Sequence, residues 1–119
     1  MSKASKVALA LQPHHDGSSI YVPNQAPKLG EQVKLRVRIH DAIGKVAEVR
    51  IMFSESGEMF PSPKARVIKR DGRWAWYEGV ITMHNPYMNY RFMIKLESGE
   101  VLWLNTQGCL LYTSDAADD

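Results

Sequence analysis

The tryptophans are the side chains of this sequence best suited to binding a ligand or a partner. Trp74 and Trp76 are separated by one residue, and Trp103 lies further along, on a run too short to assign to a face. The alternation of "RWAWYEGVITM" places Trp74 and Trp76 on the same face as Glu78, while the opposite face is apolar or small. Both rings are therefore predicted to point outward, as a partner surface or a platform for a sugar. A β-bulge near Ala75 that turns one tryptophan inward is the alternative.

Side chains that bind metals or act as nucleophiles are few. His14, His15 and Asp16 are consecutive, but neighbouring side chains of an extended segment point to opposite sides, and no further ligands complete a site. The single cysteine, Cys109, excludes an internal disulfide and has no paired histidine in a nucleophile motif. The sequence therefore predicts no metal site and no cofactor.

Composition and charge are those of one soluble domain. The 119 residues are 45% hydrophobic and 24% charged, with a formal net charge of +2. The chain lacks the clustered Lys and Arg runs expected of a nucleic-acid binder. The apolar run "VALAL" is too short for a signal peptide, and no stretch is long enough to cross a bilayer. These features predict a cytoplasmic protein that binds neither nucleic acid nor membranes.

Alternating hydrophobicity predicts short strands through most of the chain. Runs such as "EQVKLRVRIH", "VAEVRIMF" and "MNYRFMIKL" repeat every two residues, and "SSIYV" is predicted to form an earlier short strand. Asp71-Gly72 is predicted to form a type I′ turn between two strands. About seven strands without a helical period indicate an all-β, immunoglobulin-like antiparallel β-sandwich. Its predicted core contains Val33, Leu35, Val37, Val49, Ile51, Tyr90, Phe92 and Ile94.

Three stretches resemble a known family when they are taken in order. They are "HHDGSSIYVPNQAPKLGEQVKLRVRI", "RWAWYEGVITMHNPYMNYRFMI" and "VLWLNTQG". Together they resemble the N-terminal β-sandwich of α-amylase-family enzymes (glycoside hydrolase family 13). Within that family the chain is most similar to the α-glucosidases, neopullulanases and cyclomaltodextrinases with a family-34-type carbohydrate-binding module. In such enzymes a (β/α)8 barrel with the catalytic carboxylates follows this domain.

The resemblance implies a division of the chain into three parts. Residues 1–11 form an N-terminal extension, and residues 12–108 form the immunoglobulin-like domain. The ending "CLLYTSDAADD" matches nothing expected of the family and reads like translated vector or adapter sequence. Residues 109–119 are therefore predicted to be a non-native tail.

No catalytic residue is predicted in this chain. Glycoside hydrolysis needs two carboxyl groups, which lie about 5 Å apart in retaining enzymes. The acidic residues here fall mostly in predicted turns or on solvated strand faces, and none lies in a recognisable catalytic motif. The chain is thus expected to be a non-catalytic fragment of a glycoside hydrolase. The candidates for carbohydrate binding or docking are Trp74, Trp76, Trp103 and Asn105.

The expected function of such a domain is accessory. It is expected to dock on the catalytic barrel of its parent chain or to mediate homodimerisation, with weak binding of maltooligosaccharides as a further role. The alternative is a free-standing β-sandwich module that binds a protein partner through a sheet face or edge. Substrate preference would reside in the loops of the barrel.

Overall fold

The computed structural model describes residues 12–54, 59–84, 87–104 and 108–111, and these form two antiparallel sheets without an α-helix. A 3-10 helix, Asp41–Ile43, connects the first two strands. The described residues form eight strands: β1 (Gln32–His40), β2 (Val46–Ser54), β3 (Met59–Pro61), β4 (Arg66–Asp71), β5 (Trp74–Thr82), β6 (Tyr87–Leu96), β7 (Val101–Trp103) and β8 (Gly108–Leu111). The predicted all-β antiparallel sandwich is confirmed.

Each sheet has a long strand at its centre. In the three-stranded sheet the order is β1-β5-β4, so β5 pairs on both sides. In the five-stranded sheet the order is β3-β2-β6-β7, and β8 pairs with β6 beyond β7. The chain passes from the five-stranded sheet to the three-stranded sheet just before β4. At this crossing the backbone N–H of Ala65 donates a hydrogen bond to the Val49 carbonyl at 2.7 Å.

The core lies between the inner faces of the two sheets. Alternate residues of β1, β2 and β6 point inward, as the period of two in the sequence predicts. Every predicted core residue is at most 2% exposed, which confirms the whole set: Val33, Leu35, Val37, Val49, Ile51, Tyr90, Phe92 and Ile94.

The segment 12–22 covers the outer edge of β1. His14 and Arg38 exchange two backbone hydrogen bonds, of 2.9 and 3.0 Å, and the Arg36 N–H donates to the Tyr21 carbonyl at 2.8 Å. The strand predicted for "SSIYV" is wrong, because Tyr21 and Val22 both donate to the Ser18 carbonyl and close a turn there. That turn reverses the chain direction. The segment therefore contacts β1 at His14 and at Tyr21 and does not form a continuous strand beside it.

The turn between β4 and β5 also differs from the prediction. Asp71 pairs directly with Trp74, so the two central residues are Gly72 and Arg73 rather than Asp71 and Gly72. Gly72 has φ of +63°, and no described residue other than glycine has a positive φ. The type I′ assignment is therefore wrong, since type I′ needs a positive φ at both central positions. A glycine at the first position with an ordinary residue after it is typical of type II′.

Gly79 lies where β5 of one sheet faces β2 of the other. A Cβ added there would lie 2.6 Å from Cδ1 and 3.2 Å from Cγ1 of Ile51, a fully buried side chain. We expect Gly79→Ala to destabilise the protein by about 1–3 kcal/mol, because this core has no room for the methyl group. Chemical denaturation measures the loss.

A double-mutant cycle with Ile51→Val tests that cause. Valine lacks the Cδ1 atom of the shortest approach, so Ile51→Val should cost less in the Gly79→Ala background than alone, where about 0.5–1.5 kcal/mol is typical. Strictly additive effects of the two substitutions would show that the alanine methyl group does not press on Ile51.

Strand β8 contains the first three residues of the predicted non-native tail, 109–111. Its backbone pairs Leu111 with Tyr87 and Gly108 with Tyr90, at the end of β6 that β7 leaves open. Residues 112–119 lie outside the described part of the chain, and the non-native origin of 109–119 stays a prediction.

Two truncations separate the tail from the domain. Ending the chain after Leu111 should leave the melting temperature unchanged, because it keeps every described strand. Ending it after Gly108 should lower the melting temperature by several degrees, because most of the pairing with β6 is lost; about 1 kcal/mol corresponds to roughly 4–8 °C in a small domain. Thermal unfolding followed by circular dichroism is the measurement. Equal melting temperatures for both would place the start of the foreign tail at 109.

Candidate functional site

Trp74 and Trp76 both lie on the outer face of the three-stranded sheet. Their register with β1 is unbroken, and the irregularity of this sheet lies on the β4 side, between Val67 and Lys69. Ala75, between the two tryptophans, is buried on the inner face. The outward orientation is confirmed, and a bulge near Ala75 that turns one ring inward is wrong.

The outward ring of Trp76 is covered by the chain's own N-terminal segment. Tyr21 stacks on it with a centroid separation of 5.1 Å and an interplanar angle of 22°. Tyr21 is itself 2% exposed, and burial raises the pKa of its hydroxyl. Trp76 is consequently half-buried without any partner molecule, and less of its face is available to a sugar than its position on the strand indicates.

Arg38 extends the row of rings along the same face. Its guanidinium carbon lies 4.3 Å from the centroid of Trp74 and 5.9 Å from that of Trp76, within the range of cation–π attraction. His40 contacts the edge of Trp74, with centroids 4.9 Å apart. Tyr21, Trp76, Arg38, Trp74 and His40 therefore form one continuous strip, which we call the aromatic strip.

Two hydrogen-bond donors of the aromatic strip are buried without an acceptor. They are Nε of Arg38 and Nε1 of Trp76, neither of which has a partner among the described residues. A buried donor left unsatisfied costs about 1–3 kcal/mol. An oxygen that reached either donor after a small movement of these side chains would recover that free energy. Sugar hydroxyls and protein carboxylates both supply such an oxygen.

Trp103 belongs to a different surface. It pairs with Met93 on the outer face of the five-stranded sheet, where it is 44% exposed and lies 5.1 Å from the guanidinium carbon of Arg91. The three candidate tryptophans therefore lie on the outer faces of two different sheets and do not form one site. The fourth candidate, Asn105, lies outside the described residues.

The paired histidines have different surroundings. His14 is half exposed and lies 3.5 Å from the Asp16 carboxylate, whereas His15 is buried between the sheets. His15 Nδ1 donates to the Arg36 carbonyl and Nε2 accepts from the Tyr90 hydroxyl, both at 2.7 Å. Burial lowers the pKa of His15, although its bond to the Arg36 carbonyl acts in the opposite direction. Within the described ranges no three His, Cys, Asp or Glu side chains are grouped to hold a metal ion.

A cleft of about 520 Å³ opens between the sheets at the end where β1, β4 and β6 finish. Tyr77 and Arg70 line it on the three-stranded side, and Lys45 and Glu97 line it on the other. Tyr77 is on the inner face of β5 but only half-buried, and burial raises the pKa of its hydroxyl. No sequence pattern predicts this cleft, because its lining residues come from distant segments of the chain.

The comparisons with known proteins identify the fold. No protein-family model and no curated protein sequence matches the chain. Among solved structures, the chain is similar to a cyclomaltodextrinase with a TM-score of 0.64 and 15% sequence identity. The similarity covers 87% of this chain and 17% of the cyclomaltodextrinase chain. The described part of the molecule also contains no helix long and apolar enough to span a membrane. This sandwich therefore has the fold of one part of a much longer chain.

Proposed function

We propose that this chain is a non-catalytic accessory domain of a cytoplasmic enzyme that cleaves α-glucans, and that it docks on the catalytic barrel of that enzyme. The observation that carries the proposal is the structural similarity to a small part of a cyclomaltodextrinase. The order of "HHDGSSIYV", "YRF" and "VLWLN" in the sequence supports the same kind of enzyme, because these stretches resemble its N-terminal domain.

The placement of acidic groups supports a non-catalytic role. Within the described ranges, Glu78 is the one buried acid, and Arg36 Nε donates to its carboxylate at 3.0 Å. This pair joins β1 to β5 across directly opposed positions. A carboxylate held in this way links two strands and does not flank a sugar bond with a second carboxyl group.

The genomic reading frame that encodes residues 1–108 provides the direct test. An in-frame continuation into a (β/α)8 barrel with catalytic carboxylates is the expected result. A frame that closes directly after the sandwich, or that continues into an unrelated domain, would overturn the accessory role and favour a free-standing interaction module.

Weak glucan binding is a second candidate, favoured by the exposed ring of Trp103 beside Arg91. In our proposal docking is the main role, because Tyr21 already covers Trp76 and leaves little open platform on the other face. Any maltooligosaccharide affinity should then be near the millimolar range, about −4 kcal/mol.

A titration with maltoheptaose, followed by the NMR signals of the indole N–H groups, distinguishes the two roles. We expect unmoved Trp74 and Trp76 signals, together with self-association at high protein concentration in analytical ultracentrifugation. Saturable shifts of the Trp103 signal would support glucan binding at that ring, and the Trp103→Ala variant should then lose the binding. Saturable shifts of Trp76 that persist in the Trp103→Ala variant would instead establish the aromatic strip as a sugar site.

A further inference from the structure

Positive charge is concentrated on one edge of the sandwich, so the expectation that the chain has no cluster of Lys and Arg is wrong for residues 64–73. The segment 64–73, "KARVIKRDGR", contains five basic residues and one acidic residue, so its formal charge of +4 exceeds the +2 of the whole chain. All of these charged side chains are exposed. Arg73 pairs with Asp41 at 3.0 Å, but no ion pair among the described residues involves Lys64, Arg66, Lys69 or Arg70. We call residues 64–73 the basic edge.

The same segment contains a strand whose outer side is open. β4 pairs with β5, and no other strand of the described chain pairs with it. All six of its residues are exposed, including Val67 at 38% and Ile68 at 39%. By contrast, the segment 12–22 covers the opposite edge of this sheet. Backbone N–H and C=O groups on an open edge are a template for a further strand.

The cleft between the sheets lies beside this open strand. Arg70 of β4 and Arg73 of the following turn both line it, and Tyr77 forms part of its wall. A segment added alongside β4 would therefore pass the mouth of this cavity of about 520 Å³, where the cations Lys45, Arg70 and Arg73 outnumber the acids Asp41 and Glu97.

We propose that the basic edge and its cleft bind an extended, acidic peptide segment of a protein partner, which adds to β4 as a new strand. The open edge of β4 supplies backbone hydrogen bonds to the added strand. The cations without an ion-pair partner favour a peptide with acidic side chains. A second copy of this chain is disfavoured at this edge, because pairing β4 with β4 would oppose Arg66, Lys69 and Arg70 with like charges. A nucleic acid would use the cations but not the strand template. This inference does not depend on the proposed accessory role, because it follows from the open side of β4, the charges of the basic edge and the position of the cleft.

The test is an NMR titration of the 15N-labelled chain with the peptide acetyl-Glu-Val-Glu-Thr-Glu-Val-Glu-amide at 0.15 M salt. The backbone amides of 66–71 should shift in a saturable manner. Two control peptides should each bind at least about tenfold more weakly. The first has lysine at each glutamate position and loses the charge match with the basic edge. The second has alternate backbone nitrogens methylated and loses the hydrogen bonds to β4.

A matched pair of variants separates a local site from general attraction. Lys69→Glu with Arg70→Glu should weaken the acidic peptide at least about tenfold, whereas Lys34→Glu with Lys95→Glu makes the same charge change at exposed positions elsewhere and should have a much smaller effect. Equal losses in both variants, undiminished binding of the methylated peptide, or shifts away from β4 would overturn the proposal. Tighter binding of a uridine decanucleotide to the same amides would also overturn it.

Discussion

Phe92→Ala is expected to cost about 3–5 kcal/mol of unfolding free energy, the typical loss for a buried phenylalanine. Phe92 is fully buried and lies opposite Ile51 on the neighbouring strand, with its ring 4.9 Å from that of His15. The substitution therefore leaves a cavity that borders both sheets. A urea titration of wild-type and variant proteins provides the measurement.

The control for this prediction is Trp103→Ala, which removes a larger ring from an exposed position. That ring contacts the Arg91 guanidinium, so its loss should cost no more than about 1 kcal/mol. Because small domains are only about 5–15 kcal/mol stable, Phe92→Leu serves as a milder core variant in case Phe92→Ala does not fold. A loss below about 1 kcal/mol for Phe92→Ala would contradict its place in the core.

The second large effect is a loss of stability in acid that depends on His15. Burial lowers the pKa of His15 in the folded protein below its ordinary value of 6.5, so the unfolded chain binds this proton more readily. The stabilisation is therefore fully present above pH 6.5 and is lost as the pH falls from 6.5 toward the folded-state pKa. The slope from this one group cannot exceed about 1.4 kcal/mol per pH unit.

His15→Gln should remove this component, since glutamine does not titrate. Free energies of unfolding measured between pH 5 and pH 8 should then vary less with pH in the variant than in the wild type. Other titratable groups surround the buried imidazole. The exposed residues His14 and Asp16 flank it in the chain. The ring of Tyr21 contacts it from the segment 12–22, and the ring of Tyr90 contacts it from β6. His14→Gln is the matched control and should leave most of the acid slope in place, because burial is the largest cause of the lowered pKa of His15 and the charge of His14 the smallest. A slope that survives His15→Gln would assign the effect to another group.

The sequence contained enough information to predict the sandwich and its core. Val33, Leu35 and Val37 alternate with charged residues, and a period of two on a half-buried strand leaves one face to bury. The same argument placed Trp74 and Trp76 on the outer face correctly, because β5 keeps its register with β1 throughout.

What surrounds those rings could not be predicted in this way. Tyr21 stacks on Trp76 from a segment that the sequence pattern assigned to a strand, and this contact depends on how the chain turns back at Ser18. Periodicity describes which face a residue occupies but carries no information on which distant segment covers that face. The open outer side of β4 could not be predicted for the same reason. An alternating pattern indicates a strand but does not show whether another strand pairs with it on each side.

The pairing of β1 with β5 has a consequence for synthesis of the protein. Gln32 pairs with Thr82, fifty residues later in the chain. At a translation rate of about 5–20 residues per second, β1 is made roughly 3–10 s before its partner is complete. For that interval its apolar face has no sheet to cover it, while Lys34, Arg36 and Arg38 on the other face disfavour pairing between nascent chains. The alternation that later builds the core thus also protects the growing chain before the core exists.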